Sequence, residues 1–344
     1  MAVYINGTGI ISPSGISEAG GFSAWNIPAP DLRFKCVEPD YGSFIDVKAI
    51  RRMSRIIKMG VTSSLVALKD ARIERPEAII VGTALGCLED TVSFLNKLVI
   101  NKEDLLNPTA FIHSTHNTIA SQIALTVKCM GYNSTYVHRN ISFETALLDG
   151  LLLLHEKTVN SVLVGGLDEL TDDSFIILQR LGYFEKWQST GQKKIGDMTS
   201  AGEGSAFFSL SNSKIESSYA KVNDVNLISF TSKTVVQDIA LKMLKDNDLD
   251  KVDIVLNGNS EGSDYSELLS SLTTSGKSLP YKELCGEYPT ASAFGMYLAA
   301  AILRDNKLPH LLRSSFGFPS DIRHILIHNN FRDVHHSLIL LSAC

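Results

Sequence analysis

The sequence is poor in the features that announce several protein classes. Its 344 residues include five cysteines, Cys36, Cys87, Cys129, Cys285 and Cys344, odd in number, widely spaced and without a C-x-x-C pair. That pattern argues against a disulfide framework and against a zinc site. The thiols read as reduced, small packing groups of a cytoplasmic protein. No apolar run approaches the ~18 residues of a membrane span, and the longest candidate, Ala146–Leu154, is interrupted by Asp149. Positive charge is not in excess: the formal net charge is −5, which leaves no electrostatic footprint for nucleic acid. The opening Met1-Ala2-Val3-Tyr4-Ile5-Asn6 has no basic stretch ahead of an apolar segment and reads as a strand, not a signal peptide. Low-complexity tracts and long linkers are missing as well. What remains, 44% hydrophobic and 20% charged residues, is enough to bury a large core and excludes disorder.

Short apolar runs alternate with longer helical patterns. Strands are expected at Val3–Ile11, Ala78–Val81, Ser134–Val137, Ser161–Val164 and Ala206–Leu210, then at Val222–Phe230, Val252–Leu256, His324–His328 and Ser337–Leu341. Gly165-Gly166 is expected to close the Ser161 strand. Ile50, Met53, Ile57, Val61, Leu65 and Leu68 recur at helical spacing, which predicts one long helix over Val47–Ala71. Arg51, Arg52, Arg55 and Lys58 in its first half form a basic cluster, either a solvated face or a docking face for an acidic partner. Ala291–Arg304 reads as an apolar helix. The alternation predicts an α/β protein with parallel sheets. The strands at Ala78 and Val252 each run into a glycine-containing loop and a helix, which suggests a duplicated unit with halves 1–218 and 219–344.

The most informative local feature is the strand Thr135-Tyr136-Val137 running through a tight turn into a helix that begins just after Asn140. Backbone N–H groups and the helix dipole favour negative charge at such a turn. Enzymes place a nucleophilic Cys or Ser there. Asn140 has no nucleophilic chemistry near neutrality, and its simple role is a helix cap.

Several motifs, in order along nearly the whole chain, together resemble the β-ketoacyl synthases of the thiolase superfamily. Val3 to Gly15 resembles the opening V-x-V-T-G-x-G-x-V-S-P-x-G, and Arg51-Arg52-Met53-Ser54-Arg55 resembles the first helix. Asn107-Pro108 with Asn117 and Ala120 fits N-P…N-x-x-A, and Gly131 to Val137 leads into the nucleophile turn. Leu163 to Glu169 resembles L-V-G-G-x-D-E, and Gly202-Glu203-Gly204-Ser205-Ala206 resembles G-E-G-A-A. The resemblance implies the duplicated thiolase fold in five αβαβα layers, and a dimer.

The departures from that pattern fall on the chemistry. The family's T-A-C-x-S-G corresponds to His138-Arg139-Asn140-Ile141-Ser142-Phe143, so Asn140 stands for the catalytic Cys and Phe143 for the following Gly. The V-x-A-H-G-T-G-T segment corresponds to Val255-Leu256-Asn257-Gly258-Asn259-Ser260-Glu261-Gly262. Gly258 takes the first histidine's place, and a shift by one offers Asn257 or Asn259. The K-S-x-x-G-H segment becomes Lys282-Glu283-Leu284-Cys285-Gly286-Glu287, placing Glu287 at the second histidine. The G-F-G-G-T-N loop becomes Asn330-Phe331-Arg332-Asp333-Val334-His335, in which only the Phe is retained.

Condensation needs a thiolate to hold the acyl chain, two imidazoles to stabilise an enolate, and an oxyanion site. The resemblance therefore implies a silent ketosynthase homologue, similar to the chain-length factors of type II polyketide and aryl polyene systems. Such subunits pair with an active ketosynthase as heterodimers and shape its acyl tunnel. Phe111, Ile112, Phe143 and Phe331 are the tunnel or gate candidates by that reading, each equally a core side chain. Acyl carrier protein is the expected further partner, with Arg51, Arg52, Arg55 and Lys58 as docking candidates. No cofactor, metal, nucleic acid or membrane partner is implied, and a homodimer is an open alternative. Two other chemistries stay open. His113, His116, His138 and Ser142 near the aligned pocket could support a Ser–His acyltransferase or hydrolase. Cys87, in Gly82-Thr83-Ala84-Leu85-Gly86-Cys87, could be a substitute nucleophile if its thiol were acidic. A non-catalytic carrier-protein binder is the remaining alternative.

Overall fold

The strand expected over Val3–Ile11 is β1, Val3–Ser12, and it stands at the middle of the sheet that the other strands build outward. The computed structural model of the chain describes residues 2–16, 28, 31–104, 108–184, 200–259, 265–276, 278–309 and 321–344. Asn107 of the N-P segment and Ser260, Glu261 and Gly262 of the first-histidine segment lie outside the described residues. After β1 come β2 (Gly15–Ile16), β3 (Ala78–Gly82), β4 (Tyr132–Tyr136), β5 (Ser161–Asp168) and β6 (Gly204–Ser211). The second half holds β7 (Ala220–Ser229), β8 (Ile254–Gly258), β9 (Ser278–Pro280), β10 (His324–Phe331) and β11 (His335–Ser342). The described strands form one sheet in the order β4-β3-β5-β6-β1-β7-β11-β10-β8-β9, with β2 folded back on β1.

This order contains one pattern twice. The run 4-3-5-6-1 recurs as 9-8-10-11-7 when read from the opposite end. The outer members, β4-β3-β5 and β9-β8-β10, are parallel, whereas β6 and β11 run antiparallel to both their neighbours. The all-parallel expectation therefore holds only for the outer strands. β10 and β11 are joined by too few residues for a crossover, so they can only form a hairpin. The half-sheets meet along a short seam, where Val3, Tyr4 and Ile5 of β1 pair with Val222, Lys221 and Ala220 of β7.

The helices are α1 (Val47–Ile50), α2 (Arg55–Asp70), α3 (Leu88–Ile100), α4 (Pro108–His113), α5 (Thr118–Val127) and α6 (Ser142–His155), then α7 (Asp172–Arg180), α8 (Lys233–Asp246), α9 (Ser266–Ser271), α10 (Lys282–Cys285) and α11 (Ala291–Asp305). α2 and α5 cover the outer face of the first half-sheet, and α8 and α9 cover that of the second. α6 and α11 lie between the half-sheets, so the molecule has five αβαβα layers. Every residue of α11 from Ala291 to Leu303 is buried. A helix apolar on all sides belongs in such a position.

Two local expectations are corrected. The single helix over Val47–Ala71 is broken into α1 and α2. Asp46 caps α1 through the Lys48 and Ala49 N–H groups, and Ser54 takes the extended backbone of a new helix start. Arg51 and Arg52 occupy the exposed link between the two. Gly165-Gly166 does not end β5, which continues to Asp168. A Cβ at Gly165 would lie 2.3 Å from the Phe207 ring, and one at Gly166 would lie 2.9 Å from Phe143. These glycines make room for aromatic rings inside a strand; they do not turn the chain.

Arg55 is also removed from the docking cluster by its neighbours. Its guanidinium holds the buried Glu203 carboxylate at 2.6 and 2.7 Å and also pairs with Glu38 at 2.6 Å. Glu203 further accepts the Cys36 N–H at 2.9 Å and the Leu170 N–H at 3.0 Å. The arginine motif of the first helix and the G-E-G motif are thus two ends of one buried contact. Glu203→Ala leaves the guanidinium and both N–H groups without their anion, and a loss of about 3 kcal/mol is expected in urea unfolding.

Candidate functional site

The turn after β4 is built by backbone geometry. Arg139–Ile141 form one tight helical turn, Arg139 has φ 53°, and Asn140 is buried at its centre. Ser142 locks this turn: its hydroxyl donates to the Arg139 carbonyl at 2.7 Å and accepts the His138 N–H at 2.9 Å. Its Oγ is engaged with the backbone, and the exposed His138 imidazole instead faces the Thr145 hydroxyl at 3.5 Å. The Ser–His pair considered from the sequence is not assembled. Phe143, the next residue, is fully buried, with its ring 5.7 Å from that of Phe208 and its side chain beside Gly166. It is a core side chain filling the space beneath the turn.

At the second position, Gly258 ends β8. A Cβ there would lie 2.3 Å from Tyr281 Oη and 2.6 Å from two of its ring carbons. The fully buried Tyr281 therefore fills the volume into which a histidine side chain at residue 258 would project. Tyr281 Oη donates to Asn329 Oδ1 at 3.0 Å, and Asn329 Nδ2 donates to Glu144 Oε1 at 3.4 Å. Ser337 Oγ donates to the same carboxyl oxygen at 2.7 Å. Glu144 sits in the first turn of α6, fully buried, and burial pushes its carboxyl above the ordinary range. Its Oε2 has no hydrogen-bond partner among the described residues.

At the third position, Glu287 is buried and paired with Lys282, Nζ to Oε2, at 2.7 Å. Burial pushes the glutamate up while the ammonium opposes it. Two of the three charged residues of the aligned segment, Lys282 and Glu287, are thereby paired with each other.

The loop aligned with G-F-G-G-T-N is the β10–β11 turn. Arg332 and Asp333, at the places of the two glycines, have φ 51° and 56°, the left-handed conformation that glycine adopts freely. Asn330 sustains it, donating from Nδ2 to Asp333 Oδ1 at 2.8 Å and accepting the Asp333 N–H at 3.0 Å. The Arg332 guanidinium lies 3.9 Å over the Tyr183 ring and donates to the Gly182 carbonyl at 2.8 Å. Phe331 stacks on Tyr183 at 5.9 Å.

The other candidates are dispersed. Phe111 and Ile112 on α4 are 57% and 59% exposed, and the Phe111 ring lies 5.6 Å from that of Phe94 on α3. His116 packs under Gly86, 2.9 Å from where a Cβ would stand. His113 ends α4. Cys87 is fully buried, and burial together with Asp90 and Glu169 pushes its thiol up, the wrong direction for a nucleophile. Lys58 lies 5.8 Å over the Tyr41 ring. No cluster of three His, Cys, Asp or Glu suited to a metal ion exists among the described residues. What the structure adds is the Tyr281–Asn329–Glu144–Ser337 network. Its one visible sequence trace is Glu144 itself, a carboxylate set among Phe143, Ala146 and Leu147.

Gly258→His places an imidazole into the Tyr281 ring and is expected to destabilise the fold by about 2 kcal/mol or more. In a Tyr281→Ala background the same substitution has room. A double-mutant cycle by thermal unfolding should then show a favourable coupling of about 1–3 kcal/mol.

Residues 34–181 match the family model of the β-ketoacyl synthase N-terminal domain. No curated protein matches the sequence. Among solved structures, the chain is similar to one titled the ishigamide ketosynthase/chain length factor, at 14% identity and TM-score 0.76, covering 100% of this chain and 99% of that one. It is similar to a type II PKS acyl-carrier protein in complex with its ketosynthase bound to the hexaketide, at 15% identity and TM-score 0.77, with the same coverage. A β-ketoacyl synthase from Burkholderia phymatum STM815 matches at 15% identity and TM-score 0.77, again covering 100% and 99%. The chain thus shares the fold of these ketosynthase structures over its whole length, and residues 34–181 carry its likeness to the β-ketoacyl synthase N-terminal domain.

Proposed function

We propose that the chain is a catalytically silent ketosynthase-like subunit of the chain-length-factor kind, which pairs with an active ketosynthase and helps shape its acyl tunnel in polyketide- or fatty-acid-type assembly. The observation that carries this reading is Tyr281 seated in the space of the missing imidazole at Gly258. The other two positions point the same way. Asn140 cannot form a thioester, and the Glu287 carboxylate is bound to Lys282 where condensation needs an enolate-stabilising imidazole. The losses are compensated by packing and hydrogen bonds, as expected of a centre maintained for its shape.

Pairing is supported by a surface that this chain leaves uncovered. β4 is an outer strand of the sheet, and its Tyr-Asn-Ser-Thr-Tyr sequence has neither the charges nor the proline that discourage edge pairing. Met130, Tyr132 and Val137 around it are exposed, as are Leu125 and Leu152 on the flanking helices. Thr135 donates to Asn117 at 2.8 Å, which ties β4 to the stretch between α4 and α5. In this reading Phe111 and Ile112, both exposed on α4, are the side chains that reach the partner's tunnel. Phe143 acts only through the core of its own subunit. The names of the similar structures, a ketosynthase/chain length factor and a carrier protein with its ketosynthase, support the same partners. Arg51, Arg52 and Lys58 remain the candidates for carrier-protein docking. The halves 1–218 and 219–344 act as one unit in this reading. Ser142 and Cys87 are weaker alternatives, one hydrogen-bonded to the backbone and the other buried.

Native mass spectrometry of the complex recovered through a tag on this chain tests the reading. A one-to-one assembly with a ketosynthase that keeps its Cys and two His is expected, and a homodimer alone would overturn it. Phe111→Asp should weaken that assembly by about 2 kcal/mol, roughly thirtyfold in Kd.

A further inference from the structure

His328 on β10 and His336 on β11 are both fully buried on the outer face of the second half-sheet, the face shared with Leu326, Leu338 and Leu340. His336 Nδ1 and His328 Nε2 are 3.4 Å apart, with the rings 13° from parallel and their centres 5.7 Å apart. That spacing of centres is the nitrogen separation plus two ring radii, so the two nitrogens face each other along one line. This is the geometry of a long imidazole–imidazole hydrogen bond, not of two ligands bent toward one metal. Tyr265, buried where the chain enters α9, lays its ring against both imidazoles at 5.3 and 5.2 Å. The outer nitrogens, His328 Nδ1 and His336 Nε2, are buried without a hydrogen-bond partner among the described residues.

Two neutral imidazoles carry two N–H groups. One lies between the rings, and the other already sits on an outer nitrogen that has no acceptor among the described residues. A third proton would place a cation and a second unpartnered N–H in the same closed site, which is costly. The surroundings relieve that cost only at His336, where the charge and backbone of Asp333 favour the protonated ring, and burial outweighs them. Lys282 of α10 bears on His328, His335 of β11 bears on His336, and Lys233 of α8 lies 5.6 Å over the Tyr265 ring. Among the described residues Asp333, in the β10–β11 turn, is the acidic group that bears on His336 and Tyr265.

We propose that His328, His336 and Tyr265 form an acid-sensitive latch, which when neutral holds the start of α9 against β10 and β11 and when protonated releases it. Burial lowers both imidazoles, His328 to about 3. An opened latch returns them to about 6.5. The closed form is therefore fully stable above about 6.5, and its stability is lost as pH falls from there toward the closed-state value, by up to about tenfold per histidine per pH unit. The latch does not depend on the candidate site being silent.

Hydrogen exchange of α9 in the full chain, corrected for intrinsic rates, tests this in the wild type and in the His328→Leu/His336→Leu double variant. Between pH of about 6.5 and about 5.5, opening of α9 should rise about tenfold or more in the wild type and stay level in the variant. A level wild-type profile, or an equal rise in both proteins, overturns the proposal. Should the variant not fold, imidazole nitrogen spectra of the wild type decide. Rings that stay neutral while α9 remains protected support the latch, and rings that gain a proton near their ordinary pH with α9 still protected overturn it.

Discussion

Everything in this molecule depends on burying α6 and α11 between two half-sheets that share only a three-pair seam. The seam is too short to hold the halves at a fixed angle, so the relation between them is set by side chains of the middle layer. α11 is apolar on every side. The buried face of α6 carries one carboxyl group, Glu144, at the base of the turn after β4. That carboxyl is tied by Ser337 and Asn329 to the second half-sheet. Hydrophobic burial sets the layer spacing, and one small polar network, costly to leave incomplete, sets the registry of the halves at the site.

The departures from the ketosynthase pattern are consistent with each other in shape as well as in chemistry. A histidine exchanged for glycine leaves a void, and voids in a close-packed interior are destabilising. Here Tyr281 fills it, resting against both Gly258 and Gly295. Glycine exchanged for Phe143 adds volume, which fits because Gly166 lies opposite. Glycines exchanged for Arg332 and Asp333 keep the left-handed backbone, and Asn330 supports it with two hydrogen bonds. Side chains in that conformation are held against an intrinsic preference, and Arg332 makes use of its position by packing on Tyr183.

Much of the fold was legible in the sequence because strand and helix periodicities are local. β1, β3, β6 and α11 lie where the apolar patterns place them, within a residue or two at their ends. Legibility failed where the cause was distant. The break between α1 and α2 follows from Ser54 and from Arg55 being drawn to Glu203, a residue far along the chain. Gly165-Gly166 looked like a turn, and only the rings of Phe207 and Phe143 reveal these glycines as close-packing positions.

The candidate site divides in the same way. The sequence by itself determined that Asn140, Gly258 and Glu287 supply neither a thiolate nor an imidazole, because residue identity alone decides which groups can titrate or attack. It also determined the five-layer fold through the order of its motifs. Only the tertiary structure decided what surrounds those three residues. Tyr281, Asn329, Glu144 and Ser337 come from four separate elements, and hydrogen bonds that span such distances in sequence leave no periodic trace. Tertiary packing likewise decided that Phe143 is core, Phe111 and Ile112 are surface, and Arg55 is structural, since burial is a property of neighbours and not of the residue.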